Sequence, residues 1–391
     1  MSWYNSSWGK RRKITIDSAE VDSTLSDFPV YVDLSSLSLT LAQAQAIRVT
    51  KADETTEVPR EVVSATELHF KADSVSSSTD TDFYIYYDNV SASDYGVTTT
   101  YGRNAVWSGY EAVLHMNSLT IADSTGNGHV PSSNVGVTLT SGGGRPSFYF
   151  DGSSYLDFGN QLNMGLGDLS ITSYVKTTDT SAGLISKSYY SAADGRYSLL
   201  YNGNTLISLY DAGSTNANTA YSGTFADDTW RQVAGTYERL ADNTLYMDGV
   251  ARDSIAMNYS SFNMNKSNSL FIGAYNDSGG TGTMPSLNFT GSMREVRFST
   301  AVWSASWIAT EYNNQSSPST FYTLGSEESG STPISLKTDY WNVAFAGSAS
   351  LSPSISPSIS PSQSPSASLS PSRSPSISPS QSPSASISPS I

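Results

Sequence analysis

Leu245-Tyr246-Met247-Asp248-Gly249-Val250-Ala251-Arg252 decides how the chain is read. Two short apolar-rich segments flank an Asp-Gly pair. Asp-Gly readily adopts the positive φ values of a type I′ turn, so the stretch reads as a β-hairpin. The segments on either side repeat the pattern. Upstream lie Trp230-Arg231-Gln232-Val233-Ala234, then the alternating pairs Phe148/Phe150 and Leu156/Phe158 around Asp151-Gly152, and Leu169, Ile171 and Val175. Downstream lie Leu270/Ile272 and Val296/Phe298. Alternation with period two is the signature of half-buried strands.

The first hundred residues show the same period. Ile14 and Ile16 alternate with polar neighbours, as do Phe28, Val30, Val32 and Leu34, and Phe83, Ile85 and Tyr87. Helical period is confined to Leu41–Ala46 and to Ser304–Asn314. In the latter, Ser304 or Ser306 caps and Trp307, Ile308 and Tyr312 face inward. Many short strands with regular turn signals predict an all-β protein of two β-sandwich modules. With the boundary near Tyr101–Trp107, the modules span 1–105 and 106–325. Residues 326–350 are a linker with a docking strand, or the remnant of a further module, around Tyr340–Phe345.

Residues 351–391 differ in kind. Ser-Pro recurs with one variable residue between, and nine of the chain's 16 prolines fall here. Proline fixes φ and lacks an amide donor, so a disordered Ser/Pro-repeat tail is expected. As polyproline II, at about 3.1 Å per residue, it would be a semi-stiff spacer of roughly 100 Å. It reads as a solvated linker, or else as an O-glycosylated stalk or a partner-docking arm. The pattern breaks off at Ile391, as in a piece of a longer protein.

Composition narrows the function. The net charge of −14 opposes phosphate backbones and anionic membranes, and the one basic run, Lys10-Arg11-Arg12-Lys13, leads into a strand. No nucleic-acid partner and no membrane insertion are expected. The chain has no cysteine, so disulfides, thiolate catalysis and zinc–thiolate sites are excluded. Met1–Trp8 lacks the apolar core of a secretory signal, which suggests incorporation into a particle and release by lysis, or unconventional export.

Two resemblances follow. Trp3-Tyr4-Asn5-Ser6-Ser7-Trp8, Arg12-Lys13-Ile14-Thr15-Ile16, Asp27-Phe28-Pro29-Val30, Ile47-Arg48-Val49-Thr50 and Phe83–Tyr87 resemble the domain of unknown function 2341. That resemblance implies a β-rich module of phage and bacterial surface proteins. Leu114-His115-Met116-Asn117, Asp123-Ser124-Thr125-Gly126-Asn127-Gly128, Tyr149-Phe150-Asp151-Gly152, Trp230-Arg231-Gln232-Val233-Ala234 and Gly291-Ser292-Met293-Arg294-Glu295-Val296-Arg297 resemble a laminin-G/concanavalin A-like jelly roll. The resemblance implies a jelly-roll fold. Members of that superfamily commonly carry an acid where this chain has Arg294.

Catalysis finds little support in the sequence. Retaining glucanases of this fold carry two carboxylates about 5 Å apart on a Glu-x-Asp-x-x-Glu strand, and that spacing is absent. His69, His115 and His129 show no metal spacing, and His115 reads as a satisfied core or interface histidine. Asp123 and Asn127, in a Gly-bearing loop, offer the oxygen ligands of structural Ca²⁺, or form an Asx-type turn. Tyr189, Tyr190 and Tyr210 in one hairpin region, and Asn276 and Asp277 in a Gly-rich loop, are candidate carbohydrate-binding residues, because aromatic faces stack on sugars and amides read hydroxyls.

The expectation is a non-catalytic surface or virion structural protein. Its jelly roll binds glycans or a cell-surface receptor, alongside other virion or surface proteins, and a homo-oligomer is compatible with that role. The expected location is the virion surface. The alternatives are an extracellular or cell-surface adhesin on a Ser/Pro stalk and, least favoured, a polysaccharide-degrading enzyme.

Overall fold

A computed structural model describes residues 3–142, 144–188, 196–212, 215–259 and 263–330. The hairpin at Asp248-Gly249 is present. Asp248 has φ 54° and Gly249 φ 75°, and Met247 pairs with Val250 across the turn. Tyr189 and Tyr190, the linker strand around Tyr340–Phe345 and the Ser/Pro tail lie outside the described residues.

The described chain is nearly all β, in two stacked-sheet modules within one unit, Met1–Ile334. In the first module, Arg48–Lys51, Thr81–Tyr87, Lys10–Ile16 and Tyr322–Leu324 form one antiparallel sheet. Leu25–Asp33, Glu67–Val75 and Arg60–Ser64 form the other. Inward residues of the alternating runs, Ile14, Ile16, Phe28, Val30, Val32, Phe70, Phe83 and Ile85, are buried together between them.

The second module is a jelly roll of an eight-stranded and a seven-stranded sheet among the described residues. The eight-stranded sheet runs Val250–Ala256, Asp242–Met247, Arg231–Tyr237, Leu169–Lys176, Thr290–Ser299, Arg145–Asp151, Thr138–Gly142, with Ala112–Leu114 on Thr290–Ser299. Its inner face contributes Phe148, Phe150, Ile171, Val233, Leu245, Val296 and Phe298 to the main core.

Two features were not visible in the linear reading. Tyr322–Leu324 and Glu328–Ser329, which follow the jelly roll in sequence, pair with Lys10–Ile16, so the first module is completed by the far end of the described chain. Helix Ala305–Ser316, capped by Ser304, bridges the two modules. Its Trp307 lies edge-on to Phe28 at 5.1 Å. Ile308 joins Val106, Trp107, Val113, Ala234 and Tyr246 in a small apolar cluster. Asn314 Oδ1 accepts the Tyr31 amide at 2.7 Å and Asn314 Nδ2 donates to the Tyr31 carbonyl at 3.0 Å, closing an otherwise open strand edge.

The basic run is absorbed structurally. Lys10 pairs with Glu327 and Lys13 with Asp82, while Arg11 is buried against Trp3 and Tyr84 and bridges Glu54 and Glu328.

Candidate functional site

The outer face of the eight-stranded sheet carries the polar chemistry of this protein. A bulge sets it up. Thr172 faces Arg297 and Tyr174 faces Arg294, with the register slipping between them, and Glu295 takes φ 52° in the extra space. The slip sends Arg294, Glu295 and Arg297 toward the outer side while Met293, Val296 and Phe298 stay in the core. A non-glycine residue in the left-handed region of a strand is strained, and such strain collects where a side chain must be aimed.

Most of this face is covered by the first module and the bridging helix, and charge is buried where they meet. Arg145 Nη2 bridges Glu67 and Glu295, lying 2.9 Å from the latter. Arg297 reaches Glu295 at 2.6 Å and Glu311 at 3.0 Å. His115 links Glu295 through Nδ1 at 2.8 Å and Glu61 through Nε2 at 3.1 Å. Trp107 Nε1 and Ser124 Oγ also donate to Glu61. His69 stacks on His115 with ring centroids 5.0 Å apart, and its Nε2 lies 3.2 Å from Glu67.

Protonation follows from these contacts. Burial alone would lower the His115 pKa, but Glu295 and Glu61 outweigh it and raise it to about 10. Burial lowers that of His69, so this ring is neutral near pH 7. Burial would raise Glu67, yet Arg145 and His69 bring it down to about 2. Burial would likewise raise Glu61 and Glu295, yet His115 holds both down, with Arg297 and Arg145 aiding at Glu295. Burial moves Glu311 upward. The carboxyl groups of Glu61, Glu67, Glu295 and Glu311 thus share three cationic side chains, those of His115, Arg145 and Arg297. Ligating atoms of Glu67, His69, His115 and Glu295 lie within 4.8 Å of one another, a spacing that would suit a metal centre. Arg145 and the His115 proton already supply the positive charge such an ion would bring, so the cluster is a closed ion network joining the modules.

The same face opens at its far end. Thr140, Tyr149, Lys176, Asp228, Trp230 and Ser292 line a groove of about 390 Å³. Tyr149 is 41% exposed. Arg294 covers one face of Trp230 at 4.3 Å, and Lys176 and Asp228 sit 3.5 Å apart at the rim. Trp230 Nε1 is buried and donates to nothing among the described residues. Gly291 is required here: a Cβ would fall 2.4 Å from the Lys176 carbonyl.

Tyr189 and Tyr190 lie outside the described residues, and the other candidates read from sequence fall elsewhere. Tyr210 is fully buried in the jelly-roll core, stacked on Tyr237 at 5.1 Å, so neither ring face can meet a sugar. Asn276 is also fully buried. Its Oδ1 accepts from Ser186 and Ser188, and its Nδ2 donates to the carbonyls of Ser269 and Gly280, so the amide is spent on pinning its own loop. Asp277 accepts the Gly279 and Gly282 amides, an Asx-type turn. Asp123 is buried and accepts from the amides of Val113, Thr125, Gly128 and His129 and from the Thr125 hydroxyl. Asn127 Nδ2 points at the carbonyls of Tyr110 and Glu111. A cation on Asp123 would have to displace these donors, so the geometry favours the turn over Ca²⁺. Tyr149 and Trp230 appeared in the sequence only as fold markers. The signal missed was the outward position of Tyr149 on the strand beside Gly291 and the place of Trp230 just ahead of the strand Arg231–Tyr237.

Residues 150–309 match the laminin-G-type profile described as the Concanavalin A-like lectin/glucanases superfamily. The first module lies outside that match. No curated protein matches the chain. Among solved structures, it is similar to the binding domain of Paraclostridial Mosquitocidal Protein 1, with TM-score 0.44, 15% identity, and 53% of this chain and 52% of that one covered. It is also similar to the Botulinum Neurotoxin serotype G binding domain, with TM-score 0.43, 16% identity, and coverage of 53% and 51%. The chain spans about half the length of each, with 52% and 51% of those chains covered.

Proposed function

We propose that this is a non-catalytic binding protein whose jelly roll takes a saccharide in the groove between Tyr149 and Trp230. The observation that carries the reading is the groove's inventory. Two aromatic rings and several hydroxyls line it, but among the described residues Asp228 is the one carboxylate on its wall. Sugar recognition uses aromatic faces and scattered polar groups. Glycoside hydrolysis needs two carboxylates across the scissile bond. The other acids of this face are committed to arginine and histidine partners at the module junction.

The protein is read as a component displayed on a virion surface, with a bacterial surface adhesin as the second reading. The Ser/Pro repeat, a spacer in either setting, supports both. Immunogold labelling of purified particles against intact cells separates them. The binding reading is tested on a glycan array with the full chain. A folded sample should give saturable binding, and Trp230→Ala should weaken it by about tenfold or more, since losing an aromatic stacking partner costs about 0.5–1.5 kcal/mol beyond lost area. A blank array from folded protein overturns the reading.

A further inference from the structure

The groove is built on one cross-strand row of the eight-stranded sheet. Thr138 stands opposite Tyr149, Tyr149 opposite Ser292, and Ser292 opposite Lys176. Trp230 precedes Arg231, whose partner is Val175, so it comes level with Lys176. The row faces outward, because Phe148, Phe150, Met293 and Val175, its neighbours along the strands, are buried in the core. The next row on the same face holds the paired Tyr174 and Arg294, both buried, so the module junction bounds the groove along that side. At its other end the row reaches the edge strand Thr138–Gly142, beyond which the sheet has no further strand among the described residues.

Spacing decides what such a row can hold. Three strand-to-strand steps separate Tyr149 from Trp230. At about 4.8 Å per step the two rings stand about 14 Å apart. One pyranose cannot touch both. An extended chain of β-1,4-linked pyranoses repeats at nearly the strand spacing, so it brings one sugar to each ring and leaves two between them. Ser292 and the Lys176–Asp228 pair lie under those two sugars. The pair offers donors and acceptors to hydroxyls, and its charges compensate one another at 3.5 Å, so the middle of the row favours neutral sugars. Twist adds a further condition. Adjacent strands are rotated by roughly 20–25°, so the platforms at the two ends differ in attitude by roughly 60–75°. A rigid flat ribbon cannot lie against both, whereas a single chain free to twist can.

We infer that the groove binds an internal stretch of a neutral, extended polysaccharide as a single twisted chain, with Tyr149 and Trp230 stacking on sugars three places apart. The inference rests on the saccharide reading of this groove and adds the class of ligand, a chain segment in place of a terminal sugar. The chain crosses the strands and leaves over the sheet edge at Thr138.

The test uses the full chain and β-1,4-linked oligomers of glucose, mannose and xylose, from two to six sugars long, with affinity measured by calorimetry. In at least one series affinity should rise about tenfold between the disaccharide and the tetrasaccharide, as the second aromatic platform is engaged, and level off beyond it. Tyr149→Ala should reduce the tetrasaccharide to about the affinity of the disaccharide, with a thermal melt verifying the fold. Cellulose microcrystals should not deplete the protein from solution. A disaccharide that binds as tightly as the tetrasaccharide, a tetrasaccharide affinity unchanged in folded Tyr149→Ala, or depletion by microcrystals overturns the chain inference and leaves the groove reading intact. Failure to bind any oligomer while array glycans still bind does the same, and failure to bind either overturns both.

Discussion

Replacing Arg145 with leucine should be among the most damaging single changes to the junction. Its guanidinium is the shared cation of Glu67, from the first module, and Glu295, from the second. The side chains are 8%, 3% and 1% exposed, so water cannot take its place. Arg145→Leu leaves Glu67 without a cation in a dry interior, facing Glu295, which keeps His115 and Arg297. Removing one partner of a buried pair costs about 3–5 kcal/mol, chiefly because the remaining charge is stranded. For modules of this size that corresponds to a fall in Tm of about 10 °C. The assay is urea unfolding of the full chain, followed by tryptophan fluorescence. Lys51→Ala is the control, because the Lys51–Asp73 pair, at 37% and 54% exposure, is worth about 0–1 kcal/mol. Adding Glu67→Gln to Arg145→Leu should recover part of the loss, a coupling that a double-mutant cycle measures. A loss for Arg145→Leu no larger than that of Lys51→Ala would refute the claim of a dry, closed network.

Other consequences are equally direct. His115 is raised from 6.5 to about 10, so its contribution to stability is complete below pH 6.5 and is lost as the pH climbs toward 10. Glu67 is depressed from 4.5 to about 2, so its contribution is complete above pH 4.5 and is lost toward pH 2. The Tm profile should therefore plateau between pH 4.5 and 6.5, and His115→Gln should flatten the alkaline limb; an unchanged limb would contradict the assignment. Gly183→Ala would place a Cβ 2.6 Å from the Ala274 backbone, and such overpacking should destabilise by about 1–3 kcal/mol in denaturant melts. Because Asp123 is saturated by protein donors, millimolar calcium should leave the Tm unchanged, whereas Asp123→Ala should lower it by several degrees; a calcium-dependent rise would restore the cation reading.

The all-β class, the Asp248-Gly249 hairpin, the inward faces of Phe148/Phe150 and Val296/Phe298, and the Ser304-capped helix were legible in the sequence. Each depends on a local rule, a period of two or a turn or cap chemistry that acts within a few residues. Tyr210 shows where such rules stop. An alternating tyrosine belongs to a strand, but the sequence does not say which face of the sheet is covered. The junction depended wholly on tertiary structure. Glu67-x-His69 and Glu295-x-Arg297 announce only that each pair shares a strand face. What makes them a network is a bulge that redirects Glu295, a helix that brings in Glu311, and a first module that lays Glu61 and Glu67 against that face. These contacts join residues far apart in the chain, and their energies come from the burial and charge balance that exist only once both modules are in place.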